Sequence, residues 1–286
     1  MSEPNSHLGL VSNCWRTQLA RGESLDDLSA AAVRHGFRAI ELRQGCLGEY
    51  ESGDPPLPHA ADLLSLADRF PQMRFSMAVE IPFSNGRTSP ADPVFVAGQL
   101  AAKAVAGRLS PHLRLVDLAT DAADLGADAI ERVGSALAGL VRKLADIDGV
   151  LSVENARQSW SAFRSVFQSA RRQLGAEGAR LKLCYDPVNL LLSGEAIDPV
   201  AVTASLSPDE ISMVHFKQRC DGRISPAVCD GDVDWRAQLA ALRKIGYRGL
   251  YLFEVASHKN LWEFLTGSHE YLRRRGLEIV SSSSES

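Results

Sequence analysis

The sequence predicts an α/β protein built as a single (β/α)8 barrel. Eight apolar runs of strand length alternate with stretches of helical spacing. A chain of 286 residues is ordinary for one such barrel. The competing reading is a doubly wound open sheet, but no G-x-G-x-x-G follows the first run and no G-x-x-x-x-G-K-[ST] occurs, so the usual nucleotide signatures are missing. The barrel is expected over residues 8–275, with 1–7 and 276–286 as disordered tails.

The runs are LGLVSNCW (8–15), AIELR (39–43), RFSMAVE (74–80), LRLVDLA (113–119), VLSVEN (150–155), LKLCYD (181–186), ISMVHFK (211–217) and LYLFEV (250–255). Three of the helical stretches carry recognisable signals. Ser24 followed by Asp27 is a capping-box variant, and Gly36 stops that helix. Asp92 then Pro93 is a cap followed by proline at the first helical position. Trp235, Leu239 and Leu242 fall on one face of the stretch after Asp234, which reads as its cap.

Composition narrows the function. The formal net charge is −4, so no global basic field favours nucleic acid or an anionic membrane. There is no signal-peptide pattern and no apolar run of membrane-spanning length. Five scattered cysteines without a C-x-x-C pair suggest neither a zinc knuckle nor a disulfide framework, and a cytoplasmic protein is expected. Cys220 and Cys229 bracket one loop and are read as free thiols.

Strand alternation places the polar residues. Leu250, Leu252 and Glu254 share one face, and Tyr251, Phe253 and Val255 the other. Active sites of such barrels lie at the C-terminal ends of the strands. If the aromatic face packs on helices, Glu254 points into the barrel mouth. Glu154 shares a face with Ser152, Asp186 with Cys184, and His215 with Met213 and Lys217. Strands five to eight therefore each end in a candidate ligand. A single strand-end carboxylate is more often a salt-bridge or cap partner, and a single strand histidine a core residue; four in consecutive strands are harder to explain that way. Three converging carboxylates repel one another unless a cation joins them. One divalent ion resolves this. Three carboxylates and an imidazole suit manganese, magnesium or cobalt, and zinc also fits.

The phrases GFRAIELR, LSVENA, YDPVNLLLSGE, VHFKQ, CDGDVDW and LRKIGYRGLYLFEV, in this order, resemble the xylose isomerase-like barrel superfamily in its sugar phosphate isomerase/epimerase branch. The resemblance runs from about residue 8 to 275. It implies that Glu154, Asp186, His215 and Glu254 hold one divalent metal, and it implies frequent homodimers or homotetramers. It also implies a keto-sugar or keto-polyol isomerase or epimerase acting through a metal-bound ene-diolate. Glu154 and Glu254 would be the acid/base pair. The alternative is a lyase of the same family, a dehydratase or decarboxylase of a keto-sugar or keto acid. Remoter readings are an AP endonuclease-like enzyme and a non-catalytic sugar-binding barrel.

Two departures matter. Many epimerases of the family carry a histidine three residues after the strand-six aspartate; here it is Asn189. The AP endonucleases add histidines near strands two to four, where this chain has Glu41, Arg43, Glu80 and Asp117. His59 and His112 precede their nearest following strands and are expected on the wrong side of the barrel.

Lys217 is expected to stabilise an enolate oxygen or hold a substrate carboxylate, with a barrel-rim lysine as the plainer reading. Glu41, Arg43 and Glu80 would contact substrate hydroxyls or form rim ion pairs. Asn189 would bind substrate. Trp15 would wall the pocket or sit in the core. Asn155 would orient Glu154. Asp230 and Asp232 read as part of a loop over the mouth.

Overall fold

The computed structural model describes residues 8–118 and 125–278. The expected tails at 1–7 and from 279 onward, and the end of the fourth expected strand, lie outside the described residues. Eight strands form a closed parallel barrel in sequential order. They are β1 (Leu8–Val11), β2 (Ala39–Arg43), β3 (Arg74–Glu80), β4 (His112–Val116), β5 (Val150–Glu154), β6 (Leu181–Tyr185), β7 (Ile211–Phe216) and β8 (Leu250–Phe253). Between and after them run α1 (Leu25–Arg34), α2 (Ala60–Arg69), α3 (Pro93–Val105), α4 (Ala127–Ala145), α5 (Trp160–Leu174), α6 (Pro199–Ser205), α7 (Trp235–Lys244) and α8 (Leu261–Arg274). The open-sheet alternative is therefore overturned: β1 pairs with both β2 and β8.

The helix signals act as read. Ser24 accepts the Asp27 N–H at 3.1 Å, and Asp92 accepts those of Val94 and Phe95. Asp234 caps α7, whose Trp235, Leu239 and Leu242 are buried. Several strands stop earlier than their apolar runs. After Val11 the chain turns, and the Ser12 hydroxyl accepts the Arg43 N–H at 2.8 Å. Asp186, Lys217 and Glu254 thus lie just past the C-terminal ends of their strands.

Two apolar layers confirm the alternation. Val11, Ala39, Cys184, Met213, Leu250 and Leu252 form a cluster of their own inside the barrel. Tyr251, Phe253 and Phe216 belong to the larger core shared with the helices, where Phe216 packs edge-on against Trp235 at 4.9 Å. Burying each large inner side chain stabilises the fold by roughly 1.5–3 kcal/mol. Gly9 is required by closeness: a Cβ there would lie 2.4 Å from the Ala39 carbonyl oxygen. Leu277, in the stretch expected to be tail, is buried in this core. No helix among the described residues is long and apolar enough to cross a membrane.

His112 starts β4, at the end of the barrel away from the mouth, and its Nε2 lies 2.6 Å from Ser152 Oγ. His59 is different. It precedes α2, in a β-to-α connection and hence on the mouth side, contrary to expectation, because all of α2 separates it from β3. It pairs with Ser52 and Asp62.

Burial, helped by the nearby positive charges of Arg74 and Arg114, pushes His112 down to about 3. The unfolded chain binds that proton below about pH 6.5. Between these values the unfolded state holds more protons, so stability falls as pH drops, by up to ~1.4 kcal/mol per pH unit. His112→Gln should flatten this loss between pH 6.5 and 5 in urea titrations. An unchanged slope would contradict the assignment.

Candidate metal centre

The C-terminal mouth holds a fully buried charge network. Arg114, midway along β4, donates through Nε to both oxygens of Glu41 at 2.9 and 2.8 Å and through Nη2 to Glu41 again. Its Nη1 donates to Glu154 Oε2. Arg114 and Glu41 are wholly inaccessible to solvent. The other oxygen of Glu154 accepts the Asn189 side-chain amide at 3.0 Å.

Asp186 follows β6 and caps the one-turn helix Pro187–Leu190: its Oδ1 accepts the N–H groups of Val188 and Asn189. Its Oδ2 is thereby left for the centre. That oxygen receives no hydrogen bond of good angle, yet Lys217 Nζ lies 2.7 Å away. The distance makes this a close ion pair whatever its angle. Asn155 holds the Asp186 backbone by a reciprocal pair of 2.8 Å bonds. It therefore orients Asp186, not Glu154 as expected. Glu254 accepts from Asn13 at 3.0 Å through one oxygen and pairs with Lys217 through the other.

His215 sits at the middle. Its Nε2 lies 3.2 Å from the Cys184 thiol, which burial pushes up to about 12 and so keeps neutral. Its Nδ1 has no hydrogen-bond partner and faces Glu254 at 3.4 Å, Glu154 at 3.5 Å and Asp186 at 3.7 Å. One ligand atom from each of these four residues lies within 4.8 Å of every other. Ligands ~2.1 Å from one tetrahedral ion stand ~3.4 Å apart. The histidine-to-carboxylate spacings are already close to that value. The donor set fits a divalent metal.

Charge supports the fit. Four carboxylates (Glu41, Glu154, Asp186, Glu254) meet two permanent cations, Arg114 and Lys217. With His215 neutral, as a ligand must be, two negative charges remain, the charge one divalent ion offsets. Without the ion, protons compensate. Burial alone would lower His215, but the carboxylates of Glu254 and Asp186 outweigh it and raise it well above the ordinary imidazole value. Burial would likewise raise Glu254, yet Lys217 and His215 hold it well below the usual carboxylate range. A divalent ion held here would need His215 neutral and so would release its proton.

A family model described as xylose isomerase-like TIM barrel matches residues 96–281. The chain belongs to the xylose isomerase-like TIM barrel family. No curated protein matches this xylose isomerase-like barrel in sequence. Among solved structures it is similar to the IOLI protein with a bound zinc atom, at 15% identity and a TM-score of 0.68 over 98% of this chain and 100% of that one. It is similar to a D-allulose 3-epimerase from Methylomonas sp. in complex with D-allulose, at 15% identity and a TM-score of 0.66 over 95% and 97%. It is also similar to the probable 3-DHS dehydratase AsbF from Bacillus anthracis, at 15% identity and a TM-score of 0.68 over 94% and 98%.

In this xylose isomerase-like barrel the four expected ligand residues meet, and Lys217 joins them. A cavity of about 240 Å³ opens above, lined by Glu154, Glu254, Lys217, Asn189 and Arg43 among others. Three other expected residues are not on its wall. Glu41 lies beneath, spent on Arg114. Glu80 is half-exposed and pairs with Arg43 at 3.3 Å. Trp15 is fully buried and packs against Trp262. The loop acids are also in use: Asp230 binds Tyr271 and Arg275, and Asp232 binds Arg219. The thiols of Cys220 and Cys229 are free, 3.7 Å apart.

Sequence reasoning missed Arg114 and Asn13. Arg114 had a signal, since it alternates with Leu113 and Leu115 and so faces inward. Asn13 had none, because its run was read as strand and the chain turns there.

Arg114→Met should cost about 3–5 kcal/mol in urea denaturation, because Glu41 and Glu154 are left buried without their cation. A loss below ~1 kcal/mol would show that the network is better hydrated than this structure indicates.

Proposed function

We propose that the protein is a divalent-metal-dependent isomerase or epimerase that moves a proton beside the carbonyl of a small polyhydroxylated substrate. The observation that carries this reading is that Glu154 and Glu254 both reach the cavity while each has one oxygen tethered, by Arg114 and Asn13 respectively. A divalent ion held by Glu154, Asp186, His215 and Glu254 supplies Lewis-acid polarisation of the substrate carbonyl when bound. Manganese, magnesium or cobalt suits this donor set, and the zinc in the IOLI neighbour keeps zinc among the candidates.

The chain's own groups divide the remaining work. Glu254 stays ionised, so it can accept a proton from carbon, and Glu154 returns one from its own side after taking it up from water. Lys217 is raised above the ordinary lysine value because Asp186 and Glu254 outweigh its desolvation. It therefore remains an ammonium and stabilises negative charge on a substrate oxygen rather than passing a proton. Asn189 orients Glu154 and cannot titrate. Proton return to the opposite face gives epimerisation, and return to the neighbouring carbon gives isomerisation.

Asn189 also favours the second reading, a dehydratase or decarboxylase. With no histidine there to return a proton, departure of a hydroxyl or carbon dioxide competes. The AsbF and epimerase neighbours support the fold shared by both outcomes.

Glu154→Gln and Glu254→Gln should each lower solvent-deuterium exchange into an active ketose or keto acid by ~10²–10⁴-fold while ligand binding persists. Undiminished exchange in both variants would refute the acid/base assignment. Product analysis on the wild type separates isomerase from lyase.

A further inference from the structure

Above the carboxylate cluster the cavity wall turns basic. Arg16, just past the turn after β1, Arg43 at the end of β2, and Arg157, just past β5, all line it. Their charges are unevenly matched. Arg43 is nine-tenths buried and pairs with Glu80 through Nη2, but its buried Nη1 has no partner. Arg16 donates Nε only to the Cys46 thiol at 3.2 Å. Burial pushes that thiol up, so it carries no charge to offset the guanidinium. Arg157 is exposed, with neither an ion pair nor a hydrogen bond among the described residues.

The balance below makes this consequential. Arg114, Lys217 and one divalent ion offset the four buried carboxylates, and Glu80 offsets Arg43. Among the described residues, Arg16 and Arg157 then have no carboxylate ion-pair partner on the wall. A buried guanidinium nitrogen without a partner costs free energy until an acceptor arrives. A neutral sugar supplies only weak acceptors, whereas a carboxylate or phosphate matches the guanidinium fork. The cavity's 240 Å³ is small beside the ~300–1,000 Å³ of drug-sized pockets, which restricts the ligand to a compact molecule.

We propose that the substrate is an anionic polyhydroxy compound, whose carboxylate or phosphate is held by Arg43, Arg16 and Arg157 while its carbonyl end meets the Glu154–Glu254 pair. This rests on the proposed function for the position of the reacting carbonyl. The basic wall itself is independent of it. These arginines are binding residues and take no part in proton transfer.

The test is calorimetric titration of the manganese-loaded full chain. The probes are D-gluconate, D-glucuronate and D-ribulose 5-phosphate, beside the neutral D-glucitol, D-glucose and D-ribulose. Bound manganese is measured in the same samples. An anion should bind tightest, and more weakly as salt is raised. Arg157→Gln, an exposed and structurally safe change, should weaken that anion ~10-fold, and Arg16→Gln with Arg157→Gln ~100-fold, without altering neutral-sugar binding or manganese content. A carboxylate as best ligand assigns an acid substrate; a phosphate ester assigns a sugar phosphate. Tighter binding of a neutral probe, no binding of any anion, or an unchanged anion affinity in the double variant overturns the proposal. A protein that retains no manganese yet binds anions through these arginines keeps the basic-wall assignment and loses the metal mechanism.

Discussion

Buried negative charge is the constraint on which the rest of this structure depends. Glu41, Glu154, Asp186 and Glu254 crowd the C-terminal end of a closed barrel with almost no access to water. Carboxylates so placed must lose their charge, spread apart or find cations. The fold supplies two of the cations from within: Arg114 from β4 and Lys217 from just past β7. Arg114 acts as a floor, joining a carboxylate that no ligand reaches to one on the cavity wall. Lys217 closes the other side by bridging Asp186 and Glu254. The remaining deficit is concentrated at one point, where His215 Nδ1 faces three carboxylate oxygens.

Local structure serves that arrangement. Each strand of the second half hands its polar residue to the mouth within one residue of its last ladder pair, and each such residue has one polar group committed elsewhere. Asp186 spends one oxygen as a helix cap, Glu154 one on Arg114, Glu254 one on Asn13, and His215 its Nε2 on Cys184. Such tethers fix a ligand set before any ligand binds, which is how a site gains precision from rigid elements. They also leave both glutamates facing a cavity with a basic outer wall. The mouth therefore grades from acidic depth to basic rim, a gradient suited to a compact substrate with an anionic end.

Much of this was legible in the sequence because strand alternation is a two-residue rule with little slack. Glu154, Asp186, His215 and Glu254 could be placed from parity, and the inner cluster around Met213, Leu250 and Leu252 shows why it worked. Parity was less informative in the first half of the chain. Glu41 obeys it but is consumed by Arg114, a pairing from β2 to β4 with β3 between them, which needs three-dimensional register. Trp15 and Asn13 do not obey it, since the chain leaves the strand after Val11. Asn155 was assigned to the wrong neighbour because its partner, the Asp186 backbone, comes from the next strand. His59 was misplaced because its distance to β3 was judged without the helix between them.

The central claim is that the four residues around His215 hold one divalent ion. The most direct measurement is the metal content of the purified protein after incubation with manganese, cobalt, magnesium or zinc and removal of free ion, beside a Glu154→Ala/Glu254→Ala double variant. About one ion per folded wild-type chain, absent from an equally folded variant, is the predicted result. No bound ion in the wild type with any of the four metals would contradict it. Lys217 and a protonated His215 would then be the cations that hold the carboxylates together.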